Sequence, residues 1–192
     1  MVNKNNTKVR LDQFDASTGL NRGAGKIKEV LWYLFKVFFF LSAMPYPSSF
    51  KVKILRLFGA KIGIGTIIKP RVNIHFPWKL VVGDHVWIGE EVFILNFELL
   101  TIGNHVCVSQ RAFLCGGNHD YKIESMPYRN GPILLEDGCW VGANCFIAAN
   151  VTIGIDTVVT AGSVVSKSLS SNGIYSGLPA QFIKERWSNL NI

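Results

Sequence analysis

From Ile62 onward an aliphatic residue returns at steps of six. The series runs Ile62, Ile68, Ile74, then Val82, Ile88, Ile94, then Ile102, Val108, Leu114. After an interruption it continues through Leu135, Val141, Ile147, Ile153, Val159 and Val165. A period of six fits neither the 3.6-residue helical face nor the two-residue alternation of a strand. It fits a parallel β-helix, in which each short strand is one side of a coil and three hexads close a turn of about eighteen residues.

The position after the aliphatic is often small, as at Gly63, Gly83, Gly103 and Gly142. The fourth position after it is small or β-branched, as at Thr66, Val86, Ala112 and Ser163. Two inward columns are implied, one bulky and one compact at a corner. The eight-residue steps from 74 to 82 and from 94 to 102 read as two-residue bulges. With them in place, Asp84, Asn104 and Asp137 share one turn column, where short polar residues tolerate left-handed backbone. His85 and His105 share the next and are expected to stack at an exposed corner.

Ahead of the repeat, residues 1–25 are polar and read as an irregular arm. Residues 26–44 read as a helix ended by Pro45 and Pro47. Ser48 or Ser49 is placed to cap a second helix, "FKVKILRLF", closed by Gly59. Phe50, Ile54 and Phe58 would share its inner face, with Lys51, Lys53 and Arg56 around the rest. The chain thus divides into an N-terminal arm with helices, 1–59, and a β-helix, 60–192. The stretch "VLWYLFKVFFFLSAM" is apolar, but its 15 residues are too few to cross a bilayer, and Lys36 stands in its middle. Residues 26–58 are expected to pack on the domain or a neighbouring subunit, or to make peripheral contact with a membrane.

Hydrophobic residues make up 48% of the 192 and charged ones 17%, enough for a packed core and against disorder. The net charge of +7 admits nucleic acid, an anionic membrane or a phosphorylated ligand. The basic residues are scattered and form no nucleic-acid motif, so no nucleic acid is expected. The first 26 residues are polar, without a secretory signal, so a cytoplasmic chain is expected, with Cys107, Cys115, Cys139 and Cys145 as free thiols. No CxxC spacing and no close histidine pair occurs, which argues against a zinc enzyme.

The repeat breaks after Leu114, at "LCGGNHDYKIESMP", and stays broken until Leu135. Gly116 and Gly117 let the backbone leave the coil there, and His119 opens the loop, about 116–134. Alone, a loop histidine proves nothing. In context, "NHVCVSQRAFLCGGNHDY", "ILLEDGCWVGANCFIAANVTIG", "VVTAGSVVSKSL" and "GLPAQFIKER" resemble the hexapeptide-repeat acyltransferases, in particular the colanic-acid-type sugar O-acetyltransferases. The leading "LRLFGAKIGIGTIIKPRVNIHFPWKLVVGDHVWIGE" is similar to the same group.

The resemblance implies an all-β core wound as a left-handed parallel β-helix, with an N-terminal helical segment and a short C-terminal helix. It implies a homotrimer with sites between prisms, acetyl-CoA as co-substrate, no metal, and a sugar or polysaccharide-precursor acceptor. The cytoplasmic location expected above becomes the inner face of the membrane if residues 26–58 make the peripheral contact. His119 would be the general base. A sugar hydroxyl is a poor nucleophile until its proton leaves, whereas a thioester carbonyl is already activated, so one base and donors for the oxyanion suffice. Histidine suits this because its ordinary titration lies near neutrality.

Other roles carry over position by position. Asn96, which interrupts "ILNFELL", would bind the acceptor, or else be a turn residue at the bulge. Asp120 and Glu124 would orient His119 or bind sugar hydroxyls, or else be solvated loop residues. Trp140, Gly142 and Ala143 match the family's "WxG[AS]" turn against pantetheine, with the Ala143 N–H a candidate oxyanion donor. Ala161 and Gly162 would keep the cofactor wall flat. Ser166 and Lys167 match the pair at the nucleotide end, and Lys184 and Arg186 would hold phosphates. Pro179 and Ala180 match the turn that sends the tail, about 172–192, across the groove. Ser166 departs from the commoner threonine, and "KIESMPYRNGPI" matches poorly, which leaves the particular acceptor open. Another small hydroxyl or amino acceptor, or a non-catalytic scaffold, remains an alternative.

Overall fold

The computed structural model describes residues 8–188. Strands of mostly two or three residues stack in parallel into three faces. The first face holds Lys61–Ile62, Leu80–Val82, Leu100–Ile102, Ile133–Leu135 and Val151–Ile153. The second holds Ile67–Ile68, Trp87–Ile88, Cys107–Val108, Trp140–Val141 and Val158–Val159, then Gly173–Gly177. The third holds Asn73–Ile74, Phe93–Leu95, Phe113–Cys115, Phe146–Ala148 and Val164–Val165.

The hexad series sets the register. Ile62 pairs with Val82, Val82 with Ile102, Ile102 with Leu135 and Leu135 with Ile153. Equivalent ladders run Ile68–Ile88–Val108–Val141–Val159 and Ile74–Ile94–Leu114–Ile147–Val165. Every one of these aliphatics is buried, none more than 8% exposed. Their removal from water is the main force that winds the chain. The compact column is buried too, from Thr66 and Val86 to Thr157 and Ser163.

Turns stack as well as strands. At the first corner, between faces one and two, the side chain of each short polar residue accepts from the coil before it. Asp84 Oδ1 takes the Ile64 N–H at 2.7 Å, Asn104 Oδ1 the Asp84 N–H at 2.8 Å, and Asp137 Oδ1 the Asn104 N–H at 2.7 Å. The left-handed backbone expected of these residues sits one position later, at His85 (φ 55°) and His105 (φ 56°). The reason is that the Asp and Asn side chains are used as acceptors, which leaves the following residue to reverse the chain. The two imidazoles stack in the open, centroids 5.3 Å apart.

An uncovered first coil would present a row of free carbonyls. Helix α1 (Lys26–Phe35), its π-helical extension Lys36–Phe40, and helix α2 (Ser48–Leu57) cover it. One side chain serves each face. Arg56 donates to Ile62 O at 3.1 Å, Lys51 Nζ to Lys69 O at 2.9 Å, and Trp32 Nε1 to His75 O at 2.9 Å. Four local expectations change here. The first helix ends at Phe40 rather than residue 44. Ser48 does not cap α2; its Oγ accepts the Ile68 N–H at 3.0 Å instead. Phe50 stays 39% exposed, while Lys51, expected outside, is fully buried under Phe40 because its ammonium caps the coil. Gly59 does close the helix, at φ 99°.

The tail also differs. No short C-terminal helix occurs among the described residues. Ala180–Glu185 is a strand, paired antiparallel with Gly173–Gly177. The turn at Gly177–Pro179 folds it back onto the free edge of the second face.

Candidate active site

Three departures from the six-residue period fall at one place, the third corner, where the chain leaves face three for the next coil. They are residues 75–79, residues 96–99 and the long loop 116–132. The loop is a narrow double strand. Gly131 N donates to Gly116 O at 3.0 Å, Arg129 N to Asn118 O at 2.8 Å, and Asp120 N to Pro127 O at 2.8 Å. Its tip, residues 121–124, is exposed.

His119 stands on the ascending strand, partly exposed. Its Nδ1 lies 2.6 Å from the carbonyl oxygen of Met126. A carbonyl only accepts, so Nδ1 must carry the hydrogen, and the neutral ring keeps its free lone pair on Nε2. Neither acid expected to orient His119 does so here. Asp120 Oδ1 accepts the Lys122 N–H at 3.1 Å, and Glu124 is exposed at the tip, its backbone oxygen bound by Arg10 N at 2.8 Å.

No local sequence pattern marks the ring cage around His119. Tyr128 lies 5.1 Å from the His119 centroid. Phe14, from the N-terminal arm, stands edge-on to both, 5.4 Å from His119 and 5.2 Å from Tyr128. The arm is pinned by the Arg10 contact and by Trp78 Nε1, which donates to Arg22 O at 2.6 Å. Phe14 lies too far upstream for any local pattern to link it to the loop.

Asn96 sits one coil below, and its placement corrects the expected sugar contact. It is 1% exposed. Its Oδ1 accepts the Phe76 N–H at 2.9 Å, and its Nδ2 donates to Phe76 O at 2.7 Å and Lys79 O at 3.0 Å. Both amide hydrogens are used to hold the bulge beneath the loop, so the turn reading is the one the geometry follows.

The expected cofactor residues lie elsewhere. Gly142–Ala143 and Ala161–Gly162 occupy successive coils at the second corner, between faces two and three; Gly162 N donates to Ala143 O at 2.8 Å. A Cβ on Gly142 would stand 2.6 Å from Ala161 N, so glycine is what lets these coils approach. Among the described residues the Ala143 N–H finds no acceptor. Ala143 also lines a cavity of about 290 Å³ with Gln110, Arg111 and Asn144. Trp140 is half exposed on face two, its Nε1 donating to Ser109 Oγ at 2.9 Å.

Ser166 and Lys167 line a cavity of about 350 Å³ with Tyr175, Pro179 and Ala180 of the tail hairpin. Lys184 is exposed on the last strand. Arg186 is not a free cation: its Nη1 donates to Gly138 O at 2.9 Å and Asp156 O at 3.1 Å, back at the first corner. The cysteines are packing groups. Burial pushes the Cys139 thiol up to about 12, and also raises Cys107, Cys115 and Cys145, which keeps them un-ionised. Among the described residues no three His, Cys, Asp or Glu side chains converge on a metal-sized space.

No protein-family profile matches the chain. The fold does have solved counterparts. A hexapeptide-repeat-containing acetyltransferase from Vibrio cholerae, solved in complex with acetyl-coenzyme A, superposes with a TM-score of 0.76 at 24% identity, over 85% of this chain and 89% of its own. The architecture is thus the left-handed parallel β-helix of the hexapeptide-repeat acyltransferases. The chain is 27% identical over 131 residues to the galactoside O-acetyltransferase of Escherichia coli K12, covering 66% of this chain and 64% of that one. It is 40% identical over 165 residues to the E. coli K12 protein named as the colanic acid biosynthesis acetyltransferase WcaF, covering 86% of this chain and 91% of WcaF. The chain therefore belongs to the colanic-acid-type acetyltransferases within that family.

Proposed function

We propose that this acetyltransferase moves the acetyl group of acetyl-CoA to a hydroxyl of a sugar destined for an exopolysaccharide, with His119 as general base. The observation that carries the reading is the 2.6 Å contact from Nδ1 to Met126 O, which leaves Nε2 free on a partly exposed loop. Nε2 takes the hydroxyl proton as the oxygen attacks the thioester carbonyl. The tetrahedral intermediate holds its negative charge on the former carbonyl oxygen, where a free backbone N–H such as that of Ala143 would stabilise it. The C–S bond then breaks, and the proton on Nε2 passes to the departing thiolate.

The acceptor class rests on the relatives. WcaF is named for colanic acid biosynthesis, and the galactoside enzyme for O-acetylation of a sugar. The co-substrate rests on the acetyl-CoA complex of the Vibrio protein. Ser166, Lys167 and Lys184 would meet the nucleotide end, where cations and hydroxyls suit phosphate oxygens.

A homotrimer with sites between neighbouring prisms is the assembly this reading calls for, supported by the way one chain divides the work. His119 stands at the third corner, while Ala143 and Gly162 stand at the second, with face three between them. A cleft containing both is completed by the second corner of a neighbouring prism. The outward row of face three, Phe93–Phe113–Phe146, with the first two rings stacked at 4.7 Å, suits burial between copies. Acetyl-CoA turnover against nucleotide-linked and lipid-linked sugars tests the reading. A purified protein that acetylates none of them and leaves the thioester intact would refute it.

A further inference from the structure

Helix α1 is apolar on both sides, and the fold uses only one. Trp32, Lys36 and Phe40 turn inward. On the opposite side Ile27, Val30, Leu31, Leu34, Phe38 and Leu41 recur at helical spacing and remain 38–80% exposed. Phe38 is 64% exposed and Ile27 80%. Leu57 of α2, 75% exposed, extends the patch. Together Ile27, Leu31 and Leu57 line an open groove of about 1020 Å³ whose rim includes Lys26 and Lys28. A contiguous apolar surface of this kind marks a contact site rather than ordinary exposure.

The charge around it selects the partner. Between residues 26 and 58 the basic residues are Lys26, Lys28, Lys36, Lys51, Lys53 and Arg56, and the acid is Glu29 alone. Glu29 is neutralised by Arg22 at 2.6 Å. Lys36 and Lys51 are buried and Arg56 is held on Ile62 O, which leaves Lys26 and Lys53, with the half-buried Lys28 whose ammonium lies over Trp78, beside the apolar face. No helix among the described residues is long and apolar enough to cross a membrane. From Lys26 to Phe40 the helical run spans about 22 Å at 1.5 Å per residue, short of a ~30 Å hydrocarbon core. An apolar helix face edged by lysines and lacking free acids is the pattern of a helix that lies in a bilayer interface.

We propose that the outer face of α1 docks this protein on an anionic membrane surface. Ile27, Leu31, Leu34 and Phe38 enter the acyl boundary while Lys26, Lys28 and Lys53 meet lipid phosphates. The docking is independent of the acetyl-transfer reading.

Sedimentation of the full chain with vesicles tests the docking without any turnover. Phosphatidylethanolamine vesicles containing phosphatidylglycerol are compared with vesicles of phosphatidylcholine alone. The expected result is binding to the anionic vesicles that weakens in 0.5 M salt (a concentration chosen at about a 4 Å Debye length), and a fall of about tenfold or more in the double variant Ile27→Glu/Phe38→Glu. Both positions are exposed, so the variant is expected to keep the melting temperature and the oligomeric state of the parent. Equal sedimentation of parent and variant, or none by either, overturns the proposal. So does a variant whose oligomer dissociates by light scattering, because the face would then be a seam between copies.

Discussion

Replacing Phe14 with alanine removes the arm's ring from the base while leaving the loop intact. The ring makes two edge-on contacts, at 5.4 Å to His119 and 5.2 Å to Tyr128. Such contacts contribute about 0.5–1.5 kcal/mol each, so the docked arm loses about 1–3 kcal/mol. A rate factor of ten corresponds to about 1.4 kcal/mol, so full expression of the loss in the transition state would slow transfer about 5- to 150-fold. The Met126 carbonyl still holds Nδ1 at 2.6 Å in the variant, which places the expected effect near the lower end. We expect about a tenfold fall in kcat/KM for the acceptor, little change in KM for acetyl-CoA, and partial recovery in Phe14→Leu. Steady-state kinetics against both substrates, with a thermal melt of each variant, provides the assay. An unchanged kcat/KM with the arm visibly released by proteolysis would refute the claim that this ring positions the base.

Asn96→Ala is expected to lower stability by about 2–4 kcal/mol in urea, because Phe76 and Lys79 backbone groups lose their buried partner; a raised acceptor KM with unchanged stability would restore the sugar-binding role. Gly142→Ala sets a Cβ against Ala161 N and is expected to cost about 2 kcal/mol or more by the same titration. His75 introduces a pH dependence. Burial first, then the charges of Lys36 and Arg22, lower its pKa from 6.5 to about 4. The unfolded chain therefore binds the extra proton between those values, so this stabilisation is complete above pH 6.5 and is lost as pH falls through 4. Discounted for its partial exposure it amounts to about 2–3 kcal/mol, and His75→Gln should flatten the urea midpoint across that window.

The repeat was legible because each hexad buries one aliphatic, and all of those positions turned inward as expected. His119 was legible as a candidate because it is a loop histidine at a break in a regular pattern and within a familiar motif. Its orienting partner was not, because a backbone carbonyl at Met126 has no side-chain signature. Phe14 was hidden for a different reason: only the path of the arm over the coils brings it to the loop. Asn96 and Arg186 have structural duties that a match by position does not signal. Both are polar residues at matching places, yet here their donors are used on the backbone of other coils. Lys51 shows that a helical wheel does not register a cation needed to cap free carbonyls.

In the proposed reaction everything depends on Nε2 of His119 removing the acceptor's proton. The direct measurement is acetyl transfer by His119→Gln, at saturating acetyl-CoA and an acceptor turned over by the parent, alongside acetyl-CoA binding by calorimetry. The expected result is a fall in kcat of about 10²–10⁴-fold, the range of a lost general base, with acetyl-CoA affinity and melting temperature close to those of the parent. Turnover within a few-fold of the parent, in a variant equally well folded, would contradict it.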